Sequence, residues 1–279
     1  MTSLGSELSA AGGAADARPV GVEGANWRVV AAHEARDLWV SGRGPVLLFG
    51  FGVLMSAMTY LAATSSALNF LEQRESVNLA MQVAVTVGVL VTLVVSADAI
   101  SGERERGTLE ALLLTPVSRR AIVGGKLVGA LTLWFGAFAV SAPYVWVLGH
   151  GVSLVAEALL LGLVVGTLLA FALAALGLLI SSVSNSNKIS LSVSLFLLLA
   201  LFAPTQLPAS PQGWFGDVLV RVNPVGAAVH YLTTVLVDGQ DWTSNLSYLV
   251  SPVLLAALTG GALVAAGSRM VRLHPGVRR

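Results

Sequence analysis

The chain contains no cysteine, which excludes disulfides, thiol catalysis and cysteine-ligated metal. Charge is scarce as well. Only 11% of the 279 residues are Asp, Glu, Lys or Arg, against about 25% in a typical soluble domain. A soluble globule with so few charges could not keep its surface in water. Net charge is +1, and no dedicated basic domain stands out, which disfavours nucleic acid as a partner. Residues 1–23 are rich in Ala, Gly and Ser and lack the apolar core of a secretory signal peptide. They read as a disordered cytoplasmic tail.

Catalytic patterns are missing too. The four histidines, His33, His150, His230 and His274, are dispersed, and neither H-E-x-x-H nor a G-x-S-x-G elbow is present. Gly125-Lys126 looks like the end of a phosphate loop, but Leu127 follows it and Arg120 stands where the first glycine is needed. The pattern G-x-x-x-x-G-K-[ST] therefore fails, and the chain cannot bind ATP by that motif. Lys126 reads instead as a positive-inside anchor. No metal site is expected.

What is present is apolar length. Hydrophobic residues make up 55% of the chain and mean hydropathy is +0.80. That much apolar content rules out disorder for most of the chain. Six continuous runs, 45–67, 79–97, 127–148, 154–180, 189–207 and 249–267, reach or approach the roughly 20 residues that cross a bilayer. Their continuity favours helices over the short alternating strands of a barrel. Glu157 is the one charged residue inside them. With the N-terminus in the cytoplasm, 14 of the 16 Lys and Arg residues fall inside, leaving Arg74 and Arg221 outside. This asymmetry orients the chain and puts both termini in the cytoplasm. The fold class is an all-α integral membrane protein, with a six-span domain over 24–270 and a basic cytoplasmic tail over 271–279.

Three non-spanning stretches have character. Over 25–42, Trp27, Ala31, Ala35 and Leu38 share a helical face, while His33, Arg36 and Asp37 lie on another; Arg28 and Glu34 weaken the pattern. An N-terminal interfacial helix is expected, with Trp27 and Trp39 at headgroup depth. The alternative is a plain extension of the first span. Over 98–126, Gly107 breaks a polar run and Thr108 suits the N-cap of a short helix. Glu110 falls in its first turn. Leu109, Leu112 and Leu113 form one apolar face, and Pro116 stops continuation. Ser118 then caps the next helix. The three leucines need a cover, either the chain's own helix ends or a groove on a soluble partner. Over 208–248, Trp214, Phe215, Val218, Leu219 and Val222 form an apolar face, and Asn223-Pro224 reads as N-cap and first helical residue. Residues 225–237 are too short to span and suit an extracellular re-entrant or cap segment, which must be covered by protein or line a cavity.

Asp98 and Glu157 sit near opposite membrane interfaces, where structural roles outweigh an ion pathway. Gly162-x-x-x-Gly166 permits close helix packing, and Pro143, Pro204 and Pro252 are candidate kinks.

The run Gly102-Glu103-Arg104-Glu105-Arg106-Gly107-Thr108-Leu109-Glu110, continuing through Leu112 and Leu113 to Pro116 and followed by Arg119 and Gly125-Lys126, resembles the signature of ABC-2-type permeases. These are membrane subunits of ATP-binding cassette exporters. The resemblance covers roughly 25–279. It implies that the loop between spans two and three carries a coupling helix docking on a separate ATPase subunit, which holds the ATP and Mg. Residues 25–42 would match the family's interfacial helix, and Ser181–Ser190 its second cytoplasmic turn. It further implies a dimer of permeases without fused ATPase domains, in the plasma membrane of a bacterium or archaeon. Nothing in the sequence selects a substrate. A stand-alone channel or secondary carrier, or a membrane assembly factor, is the alternative.

Overall fold

The computed structural model describes residues 23–64, 70–109, 114, 117–151, 153–206 and 214–270. The expected tails, over 1–23 and 271–279, lie outside them except for Glu23, which opens the first helix. Among the described residues there is no strand, and six helices are long and apolar enough to cross a membrane. In chain order the helices are α1 (Glu23–Val40), α2 (Arg43–Thr64), α3 (Phe70–Arg106), α4 (Arg119–Leu148), α5 (Val155–Val183), α6 (Asn187–Phe202), α7 (Trp214–Val222), α8 (Pro224–Leu236) and α9 (Val250–Met270). The spanning set is α2 to α6 with α9.

Local sequence accounts for several ends. Ser118 Oγ accepts the Ala121 N–H at 3.2 Å to cap α4, as expected from the sequence. Asn223 Oδ1 accepts the N–H groups of Val225 and Gly226, and Pro224 opens α8 where a missing N–H costs nothing. Pro143 lies inside α4. The other two prolines are not mid-helix kinks. Pro204 sits in the 3-10 turn that ends α6, and Pro252 occupies the first turn of α9.

The largest departure from the sequence reading is α3. A span over 79–97 and a loop from 98 were expected, but the helix runs unbroken for 37 residues. At 1.5 Å per residue this is about 55 Å, well beyond the roughly 30 Å of hydrocarbon. The run Asp98–Arg106 stays helical because neighbouring helices take up its charges. It stops at Gly107, whose φ of +71° suits a residue without Cβ.

The core forms where α3 and α5 cross α4. In each of α3 and α5, 56% of the most apolar stretch is buried, against 17% for α2 and 22% for α6 and α9. Trp134 of α4 is fully buried between two glycines. A Cβ at Gly88 of α3 would lie 2.8 Å from its ring, and one at Gly166 of α5 would overlap it. The indole N–H donates to Thr167 Oγ1 at 2.9 Å. Gly162 receives the Met81 side chain in the same way. Gly162 and Gly166 thus serve packing inside one chain.

α1 is not free on a surface. Val30 and Ala31 lie on Gly125 of α4, Glu34 lies on Gly129, and Trp39 on Gly136. The ordered contacts show α1 running beside α4, where a helix lying flat across the spans would touch it at one crossing. Trp39 Nε1 donates to Thr132 Oγ1 at 3.2 Å. Trp27 is exposed, with the Arg28 guanidinium 5.6 Å from its ring centroid, and Arg36 is exposed as well. α8 is short and largely buried by the chain itself, through Val225, Ala228, Leu232 and Val235. The side chains of Trp214 and Phe215 lie outside the described set.

Candidate functional site at the basic end of the bundle

The end of α3 that carries Asp98–Arg106 gathers groups from five other helices. Asp98 Oδ1 accepts from Asn187 Nδ2 of α6 at 2.6 Å. Its Oδ2 lies 3.3 Å from Arg43 Nη1 of α2 and 3.5 Å from Arg106 Nη2. Residues 98, 102 and 106 stack on one face of α3. Gly102 leaves the space in which Asp98 and Arg106 meet, since a Cβ there would strike the Asp98 carboxylate.

One helical position further, Glu103 turns to α4. Lys126 Nζ donates to Glu103 Oε1 at 2.5 Å and to Glu34 Oε1 of α1 at 2.9 Å. The Lys126 side chain is only 1% exposed. The sequence reading of a positive-inside anchor did not include this burial or these partners. Lys126 is an internal cation clamped between carboxylates, because the two acidic partners replace the solvation that burial removes.

Arg104 reaches α5, donating to the carbonyls of Ser184 at 2.6 Å and Ser182 at 3.2 Å. These lie at the helix end, where carbonyls lack intrahelical partners and a cation is favoured. Ser181 Oγ accepts the backbone N–H groups of Ile100 and Ser101, at 3.1 and 2.8 Å. Ser190 Oγ of α6 donates to the Ala97 carbonyl at 2.7 Å. The turn between α5 and α6 is thus bound directly to α3.

Of the charges expected to surround a docking helix, Glu103, Arg104 and Arg106 are engaged within the chain, and Glu105 is exposed. Thr108 is itself in helical backbone and donates to the Glu103 carbonyl at 3.3 Å, instead of capping from outside. Leu109 is buried with Ile100, Val123, Leu127, Leu178 and Leu263. For this leucine the cover is the chain's own helix ends. Glu110, Leu112, Leu113 and Pro116 lie outside the described residues. Leu114, beside them, is 88% exposed, and Arg119 is exposed at the start of α4.

Sequence reasoning placed Asp98 at the inner end of the second span, whereas α3 continues past it to Arg106; it missed the contacts of Asp98 with Arg43 and Asn187 and the pairing of Lys126 with Glu34. Those partners lie 55, 89 and 92 residues away, beyond any local pattern. Glu157 is exposed in the first turn of α5, a favourable place for a carboxylate. At the opposite end, Asn223 Nδ2 also donates to the Leu201 carbonyl at 2.7 Å, tying α8 to the end of α6. A family model described as ABC-2 family transporter protein matches residues 28–266 of the chain. No curated protein matches it.

Proposed function

This chain belongs to the ABC-2 family of transporter proteins, and from that premise we propose that it is the membrane-spanning half of an ATP-driven exporter. Membership makes it a permease component of an ABC transporter. The finer reading adds a separate ATPase subunit, which holds ATP and Mg, and a second permease copy or paralogue completing a dimer. The basic end, both chain termini included, faces the cytoplasm of a bacterial or archaeal cell. The cationic asymmetry of the sequence supports this orientation.

The observation that carries the coupling role is the continuity of α3. Its extension leads from the buried core toward the segment 107–118, and along the way it is bonded to α2, α4, α5 and α6 and, through Lys126, linked to α1. A push on that segment would act on a helix already joined to the other elements at this end. The exposed Leu114, together with Leu112 and Leu113 of the leucine face read from the sequence, would meet the ATPase, while Leu109 holds this segment to the bundle.

Native purification from the source membrane tests this directly, and a Walker-motif ATPase is expected to co-purify. Leu114→Asp should weaken that association by roughly tenfold or more, the scale of an interface anchor, with insertion unchanged. Gradient-driven flux in liposomes holding this chain alone, or unaltered ATPase binding by the variant, would overturn the reading.

A further inference from the structure

The elbow between α1 and α2 turns at Gly42, with φ +82°, and stands off α3. Between them lies an open cleft of about 610 Å3. Leu38, Val46, Leu47, Val94 and Leu191 give it an apolar wall. At its charged end, Arg43 and Arg106 lean on the one Asp98 carboxylate. Their side chains are 54% and 42% exposed, so this end carries one net positive charge. Asp98, Arg43 and Arg106 also line a smaller adjoining recess of about 70 Å3, which adds Glu34, Asp37, Glu103 and Lys126. Lys126 offsets one of these three added carboxylates, leaving two negative charges. Glu103 Oε2 is buried without a hydrogen-bond partner, and an acceptor so placed is matched by an N–H donor.

The walls therefore read apolar, then positive, then negative. We propose that this cleft binds an aminophospholipid, with its acyl chains along Val46 and Leu47, its phosphate on Arg43 and Arg106, and its ammonium in the recess of Asp37 and Glu103. The proposal rests on the orientation taken above, which makes the lipid one of the inner leaflet. A glycerol headgroup brings no cation to the acidic recess. A choline headgroup brings a cation without an N–H to donate. An ethanolamine headgroup brings both.

The test uses the full chain in detergent micelles carrying equal amounts of dioleoyl phosphatidylethanolamine, phosphatidylcholine and phosphatidylglycerol, with retained lipid read by native mass spectrometry. The ethanolamine lipid should be retained over each of the others by roughly fivefold, the scale of one partly screened charge contact. Asp37→Asn, at an exposed residue, should bring the three toward parity. Val46→Trp, at a position 70% exposed, should reduce retention of all three by filling the cleft. Parity in the unsubstituted chain, preference for the glycerol lipid, or no change in both variants would each overturn the proposal. Lipid retention needs no ATPase, so its failure and the failure of the coupling role are read separately.

Discussion

At the basic end α3 meets its neighbours through charge, with Lys126 between two carboxylates and Asp98 beneath two arginines; at the opposite end the same helix meets them through amides and hydroxyls. There Gln73 Nε2 donates to the carbonyls of Leu148 and His150 at the end of α4, and Gln82 Nε2 donates to Thr233 Oγ1 of α8 at 3.1 Å. Among the described residues all the ion pairs lie at the basic end. Neutral caps act only at contact distance and each fixes one helix end. Ion pairs act over longer distances and respond to salt and to other charges brought nearby. One end is built to hold, and the other to hold while remaining sensitive to what approaches it.

Four substitutions, in three tests, probe that contrast, in falling order of effect. Lys126→Met leaves two carboxylates facing each other in a buried site. It should cost about 3–5 kcal/mol and lower the thermal unfolding midpoint of the purified chain more than any other change here. An unchanged midpoint would show that the clamp is not structural. Asn223→Ala removes a cap at the opposite end and should cost about 1 kcal/mol. Its effect should be the same at low and high salt, and a salt-dependent loss would contradict the neutral character assigned to that end. Arg43 and Asp98, both partly exposed, should show the smallest term. A double-mutant cycle with Arg43→Gln and Asp98→Asn is expected to give a coupling of about 0.5 kcal/mol that fades as salt is raised. A large, salt-independent coupling would place the pair with the buried clamp.

The spans, and the caps at Ser118 and Asn223, were legible in the sequence because each depends on residues within one helix or next to it. Bilayer thickness demands a run of apolar residues, and an orphan N–H demands an acceptor nearby. The extension of α3 was not legible. Asp98–Arg106 has the composition of a loop, and what keeps it helical in place are partners contributed by four other helices, with α1 joined through Lys126. The leucine face was only partly legible, since periodicity groups Leu109 with Leu112 but cannot say what covers Leu109. The bed for α1 could have been seen. Gly125 and Gly129 have the same four-residue spacing as Gly162 and Gly166, and they mark the places where α1 meets α4.

The Trp134 ring, set between Gly88 and Gly166, also limits how the bundle can move. Sliding α3 along α4 by four residues, about 6 Å, would bring Ala84 or Thr92 to the place Gly88 now fills, and sliding α5 would bring Ala170 to that of Gly166. A ring has no room there for a side chain. The three central helices are therefore keyed together like a tongue in two grooves. Any rearrangement that opens a path through the bundle must carry them as a single block, leaving the displacement to α2, α6 and α9 at the rim.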